Sequence, residues 1–377
     1  VEIRNPLSNC IDHIANARDK LYVYPIKGLR GIQLKKAQIG PQGISHDRRF
    51  MLWEVHSSTG ELKKVQVDSH PRGALFEQRI VPGPQQGSSV VDVRYHGELS
   101  SEPQASGEDE ILKVPLEPDI SSLQKKEVVL HGSPALAYRM GDSYDRWFSR
   151  RFGVSVILVY LGDGRRTVLG KTLPPKPAAE QQQKQRGWMA SLTSYITGSD
   201  QSDQDSAPWI TFADVAPLLV TSESSLRDVR DRLLNGLPVE MHRFRPNVVV
   251  DGDGEEAWAE DFWAELAIAP GQVVVGDEDG DSLPRGGTLL LTGNCVRCTS
   301  LNVDYQTGKP AEGELGQVLK RLMKDRRVDP GSKWSPVFGR YAFLGSGQGE
   351  GFTVSVGDEV EVTRRNAERT VWDWPGL

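Results

Sequence analysis

The 377-residue chain is 25% charged and 38% hydrophobic, with a formal net charge of -6. That acidic balance argues against a general nucleic-acid binder, and no run within the chain approaches the roughly 20 apolar residues of a membrane-spanning helix. Three cysteines are too few for a disulfide framework and point to a reducing compartment, while the length predicts two domains.

The 38 Gly and 23 Pro favour short strands joined by turns. Residues 1–19 are polar and read as an N-terminal tail; the opening Val1 leaves room for a leader or membrane anchor before this numbering. "KLYVYPIKGLRGIQLKKAQIGPQGISHDRRFMLWEV" (20–55) alternates apolar and polar residues around Gly and Pro, which predicts several short strands. "SSVVDVRYH" and "KEVVLHG" extend that pattern. "GDSYDRWFSRRFG" (141–153) changes period: Tyr144, Trp147, Phe148 and Phe152 share one helical face, with Asp142 expected to cap its start and Gly153 its end. "VSVILVYLG" reads as a buried strand.

Residues 171–208 are rich in Pro, Gln, Ser and Asp and read as a flexible insert or linker. Inside it, Trp188, Leu192, Tyr195 and Ile196 share one side of a possible short helix. "PLLVTSESSLRDVRDRLLNGLP" (217–238) predicts a strand, a capped turn and an amphipathic helix closing near Gly236. "MHRFRPNVVVDG", "AELAIAPGQVVVGD", "GTLLLTG" and "GEGFTVSVGDEVEVTRR" predict further strands. The expected division is a tail 1–19, a first domain 20–170, the insert 171–208 and a second domain 209–370. The fold class is α+β and β-barrel-rich.

Two cysteines lie in "NCVRC" (294–298). The remaining Cys10 and seven histidines show no zinc-ligand spacing. A redox pair is weakened because "TSLNVDYQTG" after it is turn-like. Buried filler therefore stays open for Cys295 and Cys298, beside a single thiolate on a metal whose other ligands come from an organic cofactor. Arg297 would stabilise such a thiolate or an anionic group of the cofactor. Other parts of an anion pocket are present: Lys27 with Gly28, Arg48 with Arg49, and Arg243, Arg245 and Asn247 around Pro246. Taken singly, each is better read as a solvated surface group. The acidic runs 251–256 and 276–281 do not match a calcium loop and read as turns. There is no dinucleotide fingerprint, Walker lysine or HExxH.

"YPIKGLRG", "GISHDRRFMLW", "FADVAPLLVTSESSL", "FRPNVVVDG", "WAEDFW", "CVRCTSLNVDYQTGK" and "SPVFGRYAF", in this order, resemble the MOSC superfamily of molybdenum-cofactor proteins. Within it the likeness is to the mitochondrial amidoxime-reducing components and their bacterial relatives. The resemblance covers roughly residues 20–365. It implies a MOSC fold with an N-terminal MOSC_N β-barrel-like segment and a few packed helices. It also implies roles: Cys298 as the catalytic molybdenum ligand, Cys295 as non-coordinating, and Lys27, Gly28, Arg49, Asp214, Arg245, Asn247 and Arg297 as cofactor-binding residues. Gly28 stands where the family has a small hydroxyl residue, Val215 and Ala216 where some relatives have hydroxyls, and "DSHPRG" follows the family pattern only loosely.

The implied activity is molybdenum-cofactor-dependent reduction of N-hydroxylated compounds such as amidoximes and hydroxylamines. The implied partners are a b-type cytochrome and its NADH-dependent flavin reductase. A docking face for the cytochrome is expected around Arg150, Arg151 and residues 320–327. Resemblance places the protein at the mitochondrial outer membrane facing the cytosol, and otherwise in the cytoplasm. The competing reading is a molybdenum-cofactor carrier or sulfurase-type module without N-reductive activity; a metal-free scaffold is a third.

Overall fold

The computed structural model describes residues 13–14, 20–98, 110–170, 173, 208–252, 254–271 and 283–375. Cys10, the possible helix around Trp188 and the acidic run 276–281 lie outside the described residues, as do nearly all of the tail 1–19 and the insert 171–208. The fold is strand-rich α+β, and its sheets do not close into a complete barrel among the described residues.

Two sheets dominate. The larger has nine strands, in the order His13–Ile14, Glu359–Arg365, Trp263–Ala269, Gly287–Val296, Val337–Leu344, Leu218–Ser222, Val248–Val250, Lys20–Val23 and Ile32–Leu34. The second runs Gln124–Leu130, Ser133–Arg139, Val156–Tyr160, Phe50–Val55 and Ile26–Lys27, with Leu62–Lys64 paired to Phe50–Val55. The chain therefore leaves the first sheet at Val23 and enters the second at Ile26, across the buried Tyr24 and Pro25. This step sets Lys27 at the junction of the sheets.

Both layers bury apolar faces. In the nine-stranded sheet, Leu21, Val23, Leu218, Val220, Val248, Val250, Trp263 and Leu266 pack into one cluster. The second sheet packs Phe50, Leu52 and Leu158 against the helix Asp142–Phe152 through Trp147, Phe148 and Phe152. Each such side chain contributes roughly 1.5–3 kcal/mol on burial. That helix ends as its sequence predicts, with Gly153 left-handed (φ 78°) and its N–H bonded to the Ser149 carbonyl. Its start differs: Gly141 takes the cap position without a side-chain bond, and Asp142 is the first helical residue, paired with Arg139 at 2.5 Å.

Leu218–Ser222 and Val248–Val250 are parallel, joined by a crossover that includes the helix Glu223–Asp231. The Ser222 hydroxyl accepts the Ser224 N–H at 3.2 Å and starts that helix. The helix stops at Arg232, before the expected Gly236, and a short 3-10 turn Leu234–Gly236 completes the segment.

Candidate functional site

Residues of both sheets line a cavity of about 310 Å3. Lys27 and Gly28 come from the sheet junction, and His131 from the tight turn between Gln124–Leu130 and Ser133–Arg139. Asp214 precedes the strand Leu218–Ser222; Arg245 and Asn247 precede Val248–Val250. Cys295, Arg297 and Cys298 stand at the end of the strand Gly287–Val296 and just beyond it.

Lys27 is buried and donates to Asp214 Oδ1 at 2.5 Å. Burial pushes its ammonium down to about 8, with Asp214 opposing the shift. Burial also works against ionisation of Asp214, but Lys27 and His131 hold its carboxyl well below the usual carboxylate range. Burial lowers the His131 imidazole as well, so it is neutral at pH 7. Facing the ionised Asp214, its Nε2 carries the proton and donates to Oδ1 at 2.9 Å. Nδ1 is left facing the Lys64 ammonium at 3.5 Å. Gly28 sits at φ 89°, and a Cβ there would meet the Val65 carbonyl oxygen at 3.1 Å. Only glycine makes this turn without strain.

Arg48 and Arg245 form the second charged group. Their guanidiniums lie 4.6 and 4.5 Å from the centre of the buried Tyr24 ring. Arg245 donates to the Leu29 carbonyl at 2.8 Å, and its Nη2 is buried with no hydrogen-bond partner among the described residues. Arg48 pairs with Asp47 and donates to Asn247 Oδ1 and the Arg245 carbonyl, both at 3.2 Å. The Asn247 amide is engaged by the protein itself, accepting from Leu219 N–H at 3.1 Å and donating to the Tyr22 carbonyl at 3.2 Å. Five non-glycine residues among those described have positive φ, and three of them, Arg48, His131 and Arg245, line this cavity. Such backbone costs on the order of 1–3 kcal/mol per residue and clusters at functional sites.

The two cysteines occupy different environments. Cys295 is buried among Ala216, Leu219, Tyr341 and Trp372, and accepts a hydrogen bond from Arg297 Nη1 at 2.9 Å. Cys298 is exposed in the cavity wall, its thiol donating to Ser300 Oγ at 3.2 Å. Arg297 is buried, donates to the Phe244 carbonyl at 2.8 Å, and leaves Nε without a partner among the described residues. No group of three or more His, Cys, Asp or Glu among the described residues could hold a metal ion.

Of the residues expected at the site, Lys27, Gly28, Asp214, Arg245, Asn247, Arg297 and Cys298 share this cavity. Arg49 does not: its guanidinium donates to the Gly162 carbonyl at 2.5 Å and lies over the Tyr160 ring. Its neighbour Arg48 lines the wall instead, because the left-handed turn at Arg48 (φ 50°) precedes the strand Phe50–Val55. Two cations expected on a docking face are also inside. Arg151 is buried 3.6 Å from the Trp147 ring centre, and Arg326 donates from Nη2 to both oxygens of the buried Asp261 at 2.7 and 2.9 Å. Sequence reasoning missed His131, Tyr341 and Trp372 as cavity residues. The His-Gly pair between two strand patterns marks a turn, but nothing local marks where that turn points.

The MOSC N-terminal beta barrel domain model matches residues 17–155, and the MOSC domain model matches residues 207–361. Mitochondrial amidoxime-reducing component 1 of Homo sapiens is 25% identical over 346 residues, covering 90% of this chain and 81% of that protein. Its Mus musculus counterpart is 26% identical over 349 residues. The molybdenum cofactor sulfurase of Oryza sativa subsp. japonica is 24% identical over 297 residues, covering 77% of this chain but 28% of the sulfurase. The relatives are thus named for amidoxime reduction or for the molybdenum cofactor, and among the described residues no helix is long and apolar enough to cross a membrane. The two domain models match consecutive segments that together take in most of the chain, and this protein belongs to the MOSC family, with a MOSC_N domain preceding its MOSC domain.

Proposed function

We propose that this protein holds a molybdenum cofactor in the cavity and reduces N-hydroxylated compounds with electrons from an external donor. The observation that carries the reading is the exposed thiol of Cys298 in a cavity whose walls gather Lys27, Arg48, Arg245 and Arg297. No cluster of protein ligands for a metal accompanies that thiol among the described residues. A metal at Cys298 would therefore take its remaining ligands from a bound organic group, and the cations favour an anionic one.

The residues present fit such a group. Arg245 Nη2 and Arg297 Nε are buried donors without partners among the described residues, and leaving them so costs roughly 1–3 kcal/mol each. Gly28 lines the cavity beside Lys27, its turn lying against the Val65 carbonyl. In this reading Lys27, Arg48 and Arg245 hold the cofactor's anionic and polar edges, Arg297 stabilises the thiolate side, and Cys298 is the metal ligand. Asn247 acts through Arg48, whose guanidinium it anchors, so it is a positioning residue. Bound there, the cofactor supplies a two-electron redox centre. Reduction of R–NHOH to R–NH2 and water consumes two electrons and two protons. Asp214 and His131 stand in the same cavity to orient polar groups and to pass protons.

The electron donors in this reading are a b-type cytochrome and its NADH-dependent flavin reductase, and the relatives' names support a mitochondrial setting. With Arg151 and Arg326 inside, Arg150, Lys320, Lys324 and Arg327 are the exposed cations left for docking in the expected region. The runner-up is a cofactor carrier or sulfurase-type module, favoured by the sulfurase relatives. Metal and pterin analysis of the purified protein, followed by benzamidoxime reduction with a chemical donor, separates the two. Cys298→Ser exchanges a soft thiolate for a poorly donating hydroxyl, so turnover should be abolished while the thermal melt stays put. Wild-type turnover in that variant would sink the ligand assignment.

A further inference from the structure

The cavity lining is mixed. Beside the cationic residues, Val215, Ala216, Tyr341 and Trp372 give it an apolar patch. The same four residues border a smaller hollow of about 20 Å3, further lined by Val168 and Phe343. Trp372 belongs to a segment, 366–375, that lies beyond the end of the MOSC match at 361.

This segment is fastened to the domain at several points. The Trp372 N–H donates to the buried Asp329 carboxylate at 2.9 and 3.1 Å. Asn294 Nδ2 donates to the Thr370 carbonyl and to Asp329, both at 2.8 Å. Arg340 donates to Thr370 Oγ1 at 3.1 Å. Gly331 lets the strap lie close, since a Cβ there would come within 2.1 Å of the Trp372 carbonyl oxygen. Farther on, Trp374 Nε1 donates to the His131 carbonyl at 2.9 Å and fixes the turn that carries that histidine. A loose tail would share few of these bonds; this one is built into the wall.

We propose that the segment 366–375 forms the substrate-binding wall of the cavity, where the Trp372 and Tyr341 rings hold the planar apolar body of an N-hydroxylated substrate. The two ring centres are 6.1 Å apart and tilted by 43°. The Trp372 indole N–H is buried with no partner among the described residues. Val215 and Ala216 beside the two rings extend the apolar surface on which an aryl or alkyl body is desolvated. The inference rests on the reductase reading and adds to it a specificity element outside the family match.

Two measurements test it on the full-length, cofactor-loaded chain. In calorimetry, benzamidine should bind the wild-type protein at least tenfold tighter than acetamidine, the return on desolvating one aromatic ring. Equal affinities would overturn the apolar wall whether or not any substrate is reduced. In turnover, Trp372→Ala should lower the ratio of kcat/KM for benzamidoxime over acetamidoxime about tenfold, and Trp372→Phe should restore most of it. A ratio unchanged in Trp372→Ala would remove Trp372 from specificity. If neither amidoxime is reduced by the wild type, the reductase reading fails, and the amidine affinities still decide the wall.

Discussion

Lys27 and Asp214 show how one contact sets the chemistry of the site. The folded chain holds the Lys27 proton with a pKa of about 8, against 10.5 for the ordinary group. Between these values the unfolded chain binds more protons than the folded one, so stability rises with pH through this window. Below about 8 the buried ammonium is a cost on the order of 3 kcal/mol, which an anionic ligand offsets. Binding of pyrophosphate to cofactor-free protein should therefore be strongest below pH 8 and weaken as pH rises through it, by up to about tenfold per unit. Lys27→Arg should flatten that dependence; titration calorimetry from pH 6 to 10 reads both. A wild-type affinity that does not change across pH 8 would show that Lys27 does not carry the anion. The sequence offers Lys27 beside a glycine and Arg48 next to Arg49, and the family resemblance selects Lys27 and Arg49, whereas the cavity is lined by Lys27 and Arg48. Adjacent residues face opposite ways only in a regular strand, and the left-handed backbone at Arg48 breaks that rule just before one begins.

At the scale of elements, alternating and helical periods marked the half-buried strands and both longer helices, and continuous apolar runs marked strands buried on both faces, such as Val156–Tyr160 and Leu218–Ser222. What they could not mark is pairing. Nothing in "KLYV" says that it joins Val248–Val250 on one edge while pairing with Ile32–Leu34 of its own half on the other. The partner is chosen by long-range bonds, and Asn247 supplies several. Its side chain bridges Leu219 N–H, the Tyr22 carbonyl and Arg48, tying three chain segments at the cavity floor. Asn247→Ala would leave the buried Leu219 N–H without that acceptor and free the Arg48 guanidinium. A loss of roughly 2–3 kcal/mol in denaturant unfolding is expected, with anion affinity reduced as well. Asn247→Ala with wild-type stability would mean that water replaces all three bonds.

Across the whole molecule, the sequence divides into halves that the chain does not respect. The N-terminal strands Lys20–Val23 and Ile32–Leu34 extend the sheet of the C-terminal half, and Lys36–Gly40 pairs with Phe352–Ser355. Leu21, Val23, Ala37 and Ile39 belong to the same core cluster as Leu218, Val248 and Phe352. Ion pairs Lys20–Glu223 and Lys27–Asp214, both 2.5 Å, cross the same boundary. The cavity exists only where these parts meet, since Lys27 and His131 come from one half and Arg245 and Cys298 from the other. We therefore expect the two sequence domains to fold as one unit. A fragment of residues 208–377 expressed alone would expose the Val248–Val250 edge and lose part of its core, which favours aggregation over a compact state. It should melt without a cooperative transition, while co-expression with residues 1–170 should yield a complex that melts sharply and binds pyrophosphate. A sharp melt of the 208–377 fragment by itself would show that the borrowed strands are dispensable, and that the anion site alone requires both halves.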